Sequence, residues 1–397
     1  MKWEMRRLDE LGVVARGKSM HRPRNYPSLY GGRYPFIQTA QVKAANMYIT
    51  EYKQTYNERG LAQSKLWDSG TLCITIAANI ADTAILTFPA CFPDSIIGFV
   101  PFEDIADTRY IKYCFDTMQK NFKQISQGAT QDNLSLEKLA TIKFPIPPLE
   151  TQKRIADILS TYDNLIENIQ KQINLLEESA MRLYKEWFVN LHFPGYETTK
   201  IIEGKPEGWK HGKLKNYIDV NSRSVYKTYP YDVIKYIDIS SVNHGRIERQ
   251  TTFKLSEAPG RAKRLTKDGD VIWGMVRPNL KAYALILSPE ENCIFSTGFA
   301  ILSPKHVPYT FLYCSVTRES FVSYLINCTN GSAYPAVKPV HFEEAEIIVP
   351  VDTLLSQFHN ITDPIFRKIK TIEKQNYYLK QARDKVIAKL INGEIEV

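Results

Sequence analysis

The chain has 397 residues, 44% of them hydrophobic and 24% charged, which is the usage of a folded protein and excludes a disordered, highly charged tail. That length exceeds one ordinary core, so two or three domains are expected, and the net charge of +8 suits a polyanionic partner without requiring one. The six cysteines (Cys73, Cys91, Cys114, Cys293, Cys314, Cys328) include no C-x-x-C pair and no histidine at zinc-ligand spacing, so they read as reduced core residues.

The opening MKWEMRRLDE mixes both signs of charge without the apolar stretch of a signal peptide. No apolar run approaches the ~18 residues of a membrane span, so no membrane association and a cytoplasmic location are expected. Residues 1–146 then alternate short β-branched or aromatic runs, such as Leu72–Ile76 and Ile96–Val100, with turn residues and a few helical stretches. The junction Phe144-Pro145-Ile146-Pro147-Pro148 leads into a helix from about Thr151 to Asn190. Its apolar or aromatic residues recur every seven positions at Ile155, Tyr162, Ile169, Leu176 and Leu183, beside a second row at Leu159, Ile166, Ile173, Ala180 and Trp187. Two such rows form a coiled-coil seam.

A second mixed region, 208–350, carries the runs Val271–Trp273 and Phe299–Leu302 and closes on Val349-Pro350. Another heptad pattern follows at Ile365, Ile372, Leu379 and Val386, with a companion row of Ile369, Asn376, Arg383 and Leu390. The two polar members are expected to set register at some cost in stability. Because proline disturbs a helix interior, this helix is expected to start at Pro364 with Asp363 as its cap, leaving residues 353–362 as a separate turn or kinked lead-in.

The halves repeat one another. Ile97-Gly98-Phe99 matches Thr297-Gly298-Phe299, Tyr113-Cys114 matches Tyr313-Cys314, and Asn79-Ile80 matches Asn279-Leu280, each at an offset of 200 (298 − 98). Phe144-Pro145-Ile146 faces Val349-Pro350-Val351, and Gln152 faces Gln357, at 205 (357 − 152). Colinear matches with a slowly drifting offset indicate a duplication with small loop insertions.

Catalytic motifs are missing from this order. Asp363-Pro364-Ile365-Phe366 lacks the second proline of a methyltransferase Asn/Asp-Pro-Pro-aromatic motif, and there is no G-x-x-x-x-G-K-[ST] loop for nucleotide hydrolysis. Pro93-Asp94 is not followed by the Glu-x-Lys of a nuclease, and the seven histidines include no H-x-x-x-H pair. Binding features are concentrated instead. Leu11–Thr50 contains no carboxylate, while Arg16, Lys18, Arg22, Arg24, Arg33 and Lys43 lie among Tyr26, Tyr30, Tyr34 and Phe36. The corresponding stretch Asn221–Glu290 holds twelve Lys and Arg against seven Asp and Glu. Basic runs interleaved with aromatics at matching places in both halves point to nucleic acid. Arginine reads guanine edges, and asparagine or glutamine reads adenine. The candidate DNA contacts are therefore Arg22, Arg24, Arg33, Tyr34, Gln131 and Asn133 in the first half. Those of the second are Arg264, Arg277, Asn279, Lys281 and Tyr334. Arg277 precedes a proline, which predicts an extended backbone there.

Several segments, in order, resemble the specificity subunits of type I restriction-modification systems. They include Pro147–Ala156 (PPLETQKRIA) entering the first long helix, Leu183–Val189 (LYKEWFV) at its end, and Phe193-Pro194-Gly195. Gly31–Gln38, Gly128–Ser135, Pro206–Trp209, Arg277–Leu280, Ser296–Ala300 and Lys389–Ile395 extend the resemblance over essentially the whole chain. It is weakest over Val351–Thr362, where the proline-rich junction is degraded. The resemblance implies an α+β (mixed α/β) fold with two similar target-recognition domains, 1–146 and 191–350, related by a pseudo-twofold repeat. Spacer segments 147–190 and 351–397 would form an antiparallel coiled coil. It further implies that each domain reads half of a bipartite, asymmetric site in double-stranded DNA. Two modification (methyltransferase) subunits would dock on the helices, and restriction (motor-nuclease) subunits would join. S-adenosylmethionine, ATP and Mg would be used by those partners, with no cofactor, metal or catalytic residue in this chain. A divergent DNA methyltransferase or nuclease, and an RNA-binding or structural adaptor, are the alternatives. Incubating the chain alone with DNA and S-adenosylmethionine, or testing its preference for one duplex sequence, separates them.

Overall fold

A computed structural model describes residues 3–76, 81–127, 136–329 and 335–397. It divides into two compact units, Met1–Asn168 with Gln375–Val397, and Ile169–Lys374.

In the first unit, Leu72–Thr75 and Thr83–Leu86 are buried at every position, as expected of strands covered on both faces. They lie within a five-stranded sheet ordered Gly12–Arg16, Ile96–Pro101, Leu72–Thr75, Thr83–Leu86, Tyr48–Ile49. A four-stranded sheet runs Gln54–Tyr56, Tyr30–Phe36, Ala90–Cys91, Leu66–Trp67, its middle pair parallel and its outer pairs antiparallel. Glu4–Arg7 pairs separately with Lys143–Ile146.

The second unit repeats this plan. One sheet is ordered Ile218–Val220, Phe299–Pro304, Val271–Gly274, Tyr283–Leu285. Another is ordered Thr251–Lys254, Val233–Ile237, Cys293–Ser296, Ala262–Arg264, again with a parallel middle pair. Lys210–Lys213 pairs with Glu346–Val349. Strand order and direction thus carry the duplication independently of residue identity.

The ladders also correct the offsets. Pro101 opposes Gly12 and Pro304 opposes Ile218, so these positions are 203 apart (304 − 101) rather than 200. At the end of each half, Ile146 opposes Glu4 and Val349 opposes Lys210, again 203 apart (349 − 146) rather than 205. Gln152 and Gln357 are therefore not equivalent. Gln152 is fully buried, accepting from Asp107 N–H at 3.0 Å and donating to the carbonyls of Ile105 and Pro147 at 2.9 Å, whereas Gln357 is exposed.

Two 40-residue helices, α1 (Leu149–Phe188) and α2 (Asp352–Ile391), complete the units. On α1 the row Leu159, Ile166, Ile173, Ala180, Trp187 is wholly buried, while Tyr162, Leu176 and Leu183 of the neighbouring row are half-buried. In the first unit Ile155, Ala156 and Leu159 share one core with Ile387, Leu390 and Ile391. In the second, Tyr184, Trp187 and Phe188 pack on Phe358 at ring distances of 5.0–6.1 Å. Rising numbers on α1 meet falling numbers on α2, so the pairing is antiparallel.

The helix start expected at Pro364 is wrong, because α2 runs unbroken from Asp352 with Pro364 inside it. Proline removes one backbone hydrogen bond there. The preceding turns are nonetheless held by buried Leu354, Leu355, Phe358 and Thr362, and the proline ring lies on the exposed face. Asp363 does not cap the helix. Its carboxylate accepts hydrogen bonds from the Tyr309 hydroxyl and from Arg367.

Candidate nucleic-acid interface

The structure sorts the candidate contacts by what already neutralises them. In the first unit Arg22 and Arg24 converge on one carboxylate. Arg24 is bonded to Asp94, and the Arg22 guanidinium lies 3.5 Å from Asp94 while donating to the Ser19 carbonyl at 2.6 Å. Arg33 and Tyr34 converge on another, Glu58, at 3.1 and 3.0 Å. The Arg33 side chain keeps 77% of its surface exposed, so this pair is held loosely and is open to exchange for another anion. Leu11–Thr50 lacks acids in sequence, but the fold supplies them from outside it. Gln131 and Asn133 lie outside the described residues, as does Tyr334.

In the second unit Arg277, Asn279 and Lys281 fall within a single turn following the strand Val271–Gly274. Arg277 is not extended as the following proline suggested. Its φ of 53° and ψ of 65° are left-handed, with its N–H donated to the Pro335 carbonyl at 2.8 Å. That tertiary hydrogen bond holds a conformation that local sterics disfavour. Lys281 is also left-handed, at φ 54°, and its ammonium is bonded to Glu319. Arg277, Asn279 and Leu280 are exposed, so the turn projects from the unit. Ala81, 200 residues before Lys281, is left-handed as well, at φ 61°.

Arg264 lies apart from that turn, in the other sheet. It is half-buried, and its Nε is enclosed without a hydrogen-bond partner among the described residues. Desolvation lowers its pKa, which marks a cation for which an incoming anion would be a net gain.

The sequence did not single out Arg246, whose guanidinium reaches α1 from a short hairpin and donates to Asn174 Oδ1 at 2.7 Å and Glu177 Oε2 at 3.3 Å. The turn Asn243-His244-Gly245 before it was the available signal. Nor did it single out Asp163, on the buried face of α1, which accepts from Arg383 at 2.8 Å and from the Tyr113 hydroxyl at 2.7 Å. Among the described residues no group of three His, Cys, Asp or Glu could hold a metal ion, and no helix is long and apolar enough to cross a membrane. Burial pushes the thiols of Cys73, Cys114 and Cys314 well up, and that of Cys293 to about 12, so they are inert packing groups.

Residues 1–178 match the family model of the type I restriction modification DNA specificity domain. Over its whole length the chain is 26% identical to the MjaIX specificity subunit of a type I restriction enzyme from Methanocaldococcus jannaschii, spanning 94% of that protein. It is 25% identical to the MjaVIII specificity subunit of the same organism, over 92% of this chain and 87% of that one. A crystal structure of the S subunit of a type I restriction-modification system from M. genitalium has the same fold, with a TM-score of 0.62 at 15% identity, over 98% of this chain and 96% of that one.

Proposed function

We propose that this chain, similar over its length to type I restriction-modification specificity subunits, is a non-catalytic DNA-recognition subunit of that kind and that its two repeats read the two halves of a bipartite, asymmetric duplex site. The target-recognition domains are 1–146 and 191–350, and the segments 147–190 and 351–397 are the spacer. The observation that carries this reading is the repetition of two different sheets, four strands of each recurring in the same order, with left-handed backbone at Ala81 in one repeat and Lys281 in the other. Two similar readers joined by helices suit two half-sites at a fixed separation. Arg22, Arg24, Arg33 and Tyr34 serve the first half-site, with Gln131 and Asn133. Arg264, Arg277, Asn279 and Lys281 serve the second, with Tyr334. Two modification subunits dock on the helices and restriction subunits join them. S-adenosylmethionine, ATP and Mg belong to those partners, and the assembly works in the cytoplasm.

The test treats the helices as a ruler. Inserting four residues between Ile169 and Ile173 lengthens α1 by ~6 Å and rotates the remainder of the helix by ~40°. Coiled coils often absorb such an insertion as a stutter. At ~3.4 Å per base pair that corresponds to about one or two base pairs. Sequencing the methylated sites of a strain carrying the chain with its modification subunits should return both half-sites unchanged and a gap longer by that amount. An unchanged gap in an active complex refutes the spacer reading.

A further inference from the structure

Four residues of the second unit adopt left-handed backbone in two adjoining turns: His244 (φ 42°), Gly245 (φ 86°), Arg277 (φ 53°) and Lys281 (φ 54°). Such conformations persist only where the surroundings impose them: Pro335 holds Arg277, and the two turns hold each other at His244, Gly245 and Lys281. His244 N–H donates to the Lys281 carbonyl at 3.0 Å, and Gly245 N–H to the Tyr283 carbonyl at 2.8 Å. The hairpin Val242–Asn243/Arg246–Ile247 is therefore hydrogen-bonded to the far end of the exposed turn. Val242 and Ile247 pack the two strands of the hairpin into the core of the sheet, and Arg246 ties its tip to α1 as well, through side-chain hydrogen bonds to Asn174 and Glu177. A cavity of about 310 Å³ lies beside it, lined among others by Glu177, His244, Arg246, Tyr283, Tyr313 and Phe366.

We propose that Arg246 is a positioning residue for the second half-site, fixing the hairpin to α1 and, through the hydrogen bonds of His244 and Gly245, holding the Arg277–Lys281 turn at the distance from the helix that its bases require. Arg246 itself touches no base. Losing the guanidinium frees the hairpin tip, Asn243–Arg246, to settle into the cavity while Val242 and Ile247 stay in the core, and the shift of His244 and Gly245 carries the turn with it, so the error appears in which bases are accepted. This inference rests on the reading of that turn as a DNA contact, and the experiment separates the two.

Arg246→Gln, Arg246→Lys, Asn174→Ala and Arg277→Ala are each expressed in the full chain with its modification subunits, and the methylated sites are sequenced. Arg246→Gln should lose about tenfold in discrimination at one or more positions of the second half-site, with the first half-site and gap unchanged. Both bonds leave one guanidinium nitrogen, so Arg246→Lys, which keeps the charge on a shorter and more flexible stem, should recover part of it. Asn174→Ala lies on the exposed face of α1 and leaves the core intact. It should shift discrimination in the same direction by less, so the inference stays testable if Arg246→Gln folds poorly. If Arg277→Ala relaxes the second half-site while Arg246→Gln and Asn174→Ala leave it sharp, the positioning role is overturned and the reading turn stands. If Arg277→Ala also leaves every position unchanged, the turn does not read DNA and the inference falls with it. Equal loss at both half-sites in Arg246→Gln assigns the residue to general stability and likewise overturns it.

Discussion

Replacing Arg383 by methionine tests whether the polar pair inside the helix seam is structural. Asp163 is 6% exposed, with one oxygen receiving Arg383 at 2.8 Å and the other the Tyr113 hydroxyl at 2.7 Å. Removing one member of a buried pair costs ~3–5 kcal/mol because the other charge is stranded. Arg383 keeps a quarter of its side-chain surface exposed and also binds Asp384, so solvent screening brings the expectation down to ~2–3 kcal/mol. Combining it with Asp163→Leu removes the stranded charge and leaves mainly the Tyr113 hydroxyl unsatisfied, at ~1–3 kcal/mol. The double variant should therefore lie well short of the sum of the single changes. Native-state hydrogen exchange by mass spectrometry is the assay, because it reports locally in a chain of two units. Peptides spanning 378–391 should exchange roughly 30- to 150-fold faster in Arg383→Met, the conversion of ~2–3 kcal/mol at 1.4 kcal/mol per decade. Unchanged exchange there, or strict additivity in the double variant, would show that solvent rather than Asp163 satisfies Arg383.

Glu373→Gln addresses the second unit's share of the seam. Burial pushes the Glu373 carboxyl up, with Lys370 opposing and Glu177 adding to the rise, so its contribution to stability is full below the ordinary carboxylate range and is lost as pH rises through the raised value. Melting temperatures should accordingly diverge in favour of Gln as pH rises above the ordinary carboxylate range, and a difference independent of pH refutes this. Gly98→Ala would place a Cβ 2.5 Å from the Trp67 ring, so urea unfolding should detect a loss of ~1–3 kcal/mol, and wild-type stability would mean the ring can move aside. Affinity for the methylated target duplex should fall steeply and log-linearly with salt as the basic faces release counterions, and a flat titration would contradict a phosphate-binding role for them.

The duplication was legible because a repeated topology keeps similar side chains at similar places. Tyr113-Cys114 and Tyr313-Cys314 are all buried, on helices against the sheets. The offsets were less legible, since short matches such as Gly98 and Gly298 align residues that ladder pairing separates by three positions. Three features escaped because tertiary contacts decide them. Buried Phe358 and Thr362 carry α2 through Pro364, the Pro335 carbonyl holds Arg277 left-handed, and Glu58 and Asp94 bring acid to a segment that has none.

Asp163 escaped for another reason: a single aspartate on a heptad face looks like a solvated charge until its partner, 220 residues away, is known. The position 203 residues later is Phe366 (366 − 163), which packs on Tyr313 at 5.3 Å where Asp163 bonds to Tyr113. The same place in the repeat is thus polar in one unit and aromatic in the other. That difference makes the helix pairing selective. Slipping α2 by one heptad would carry Arg383 ~10 Å from Asp163 and leave the carboxylate buried with only Tyr113, a penalty that a uniformly apolar seam would not impose. Arg383, an interruption when judged by hydrophobic pattern alone, supplies the specificity that the apolar rows cannot.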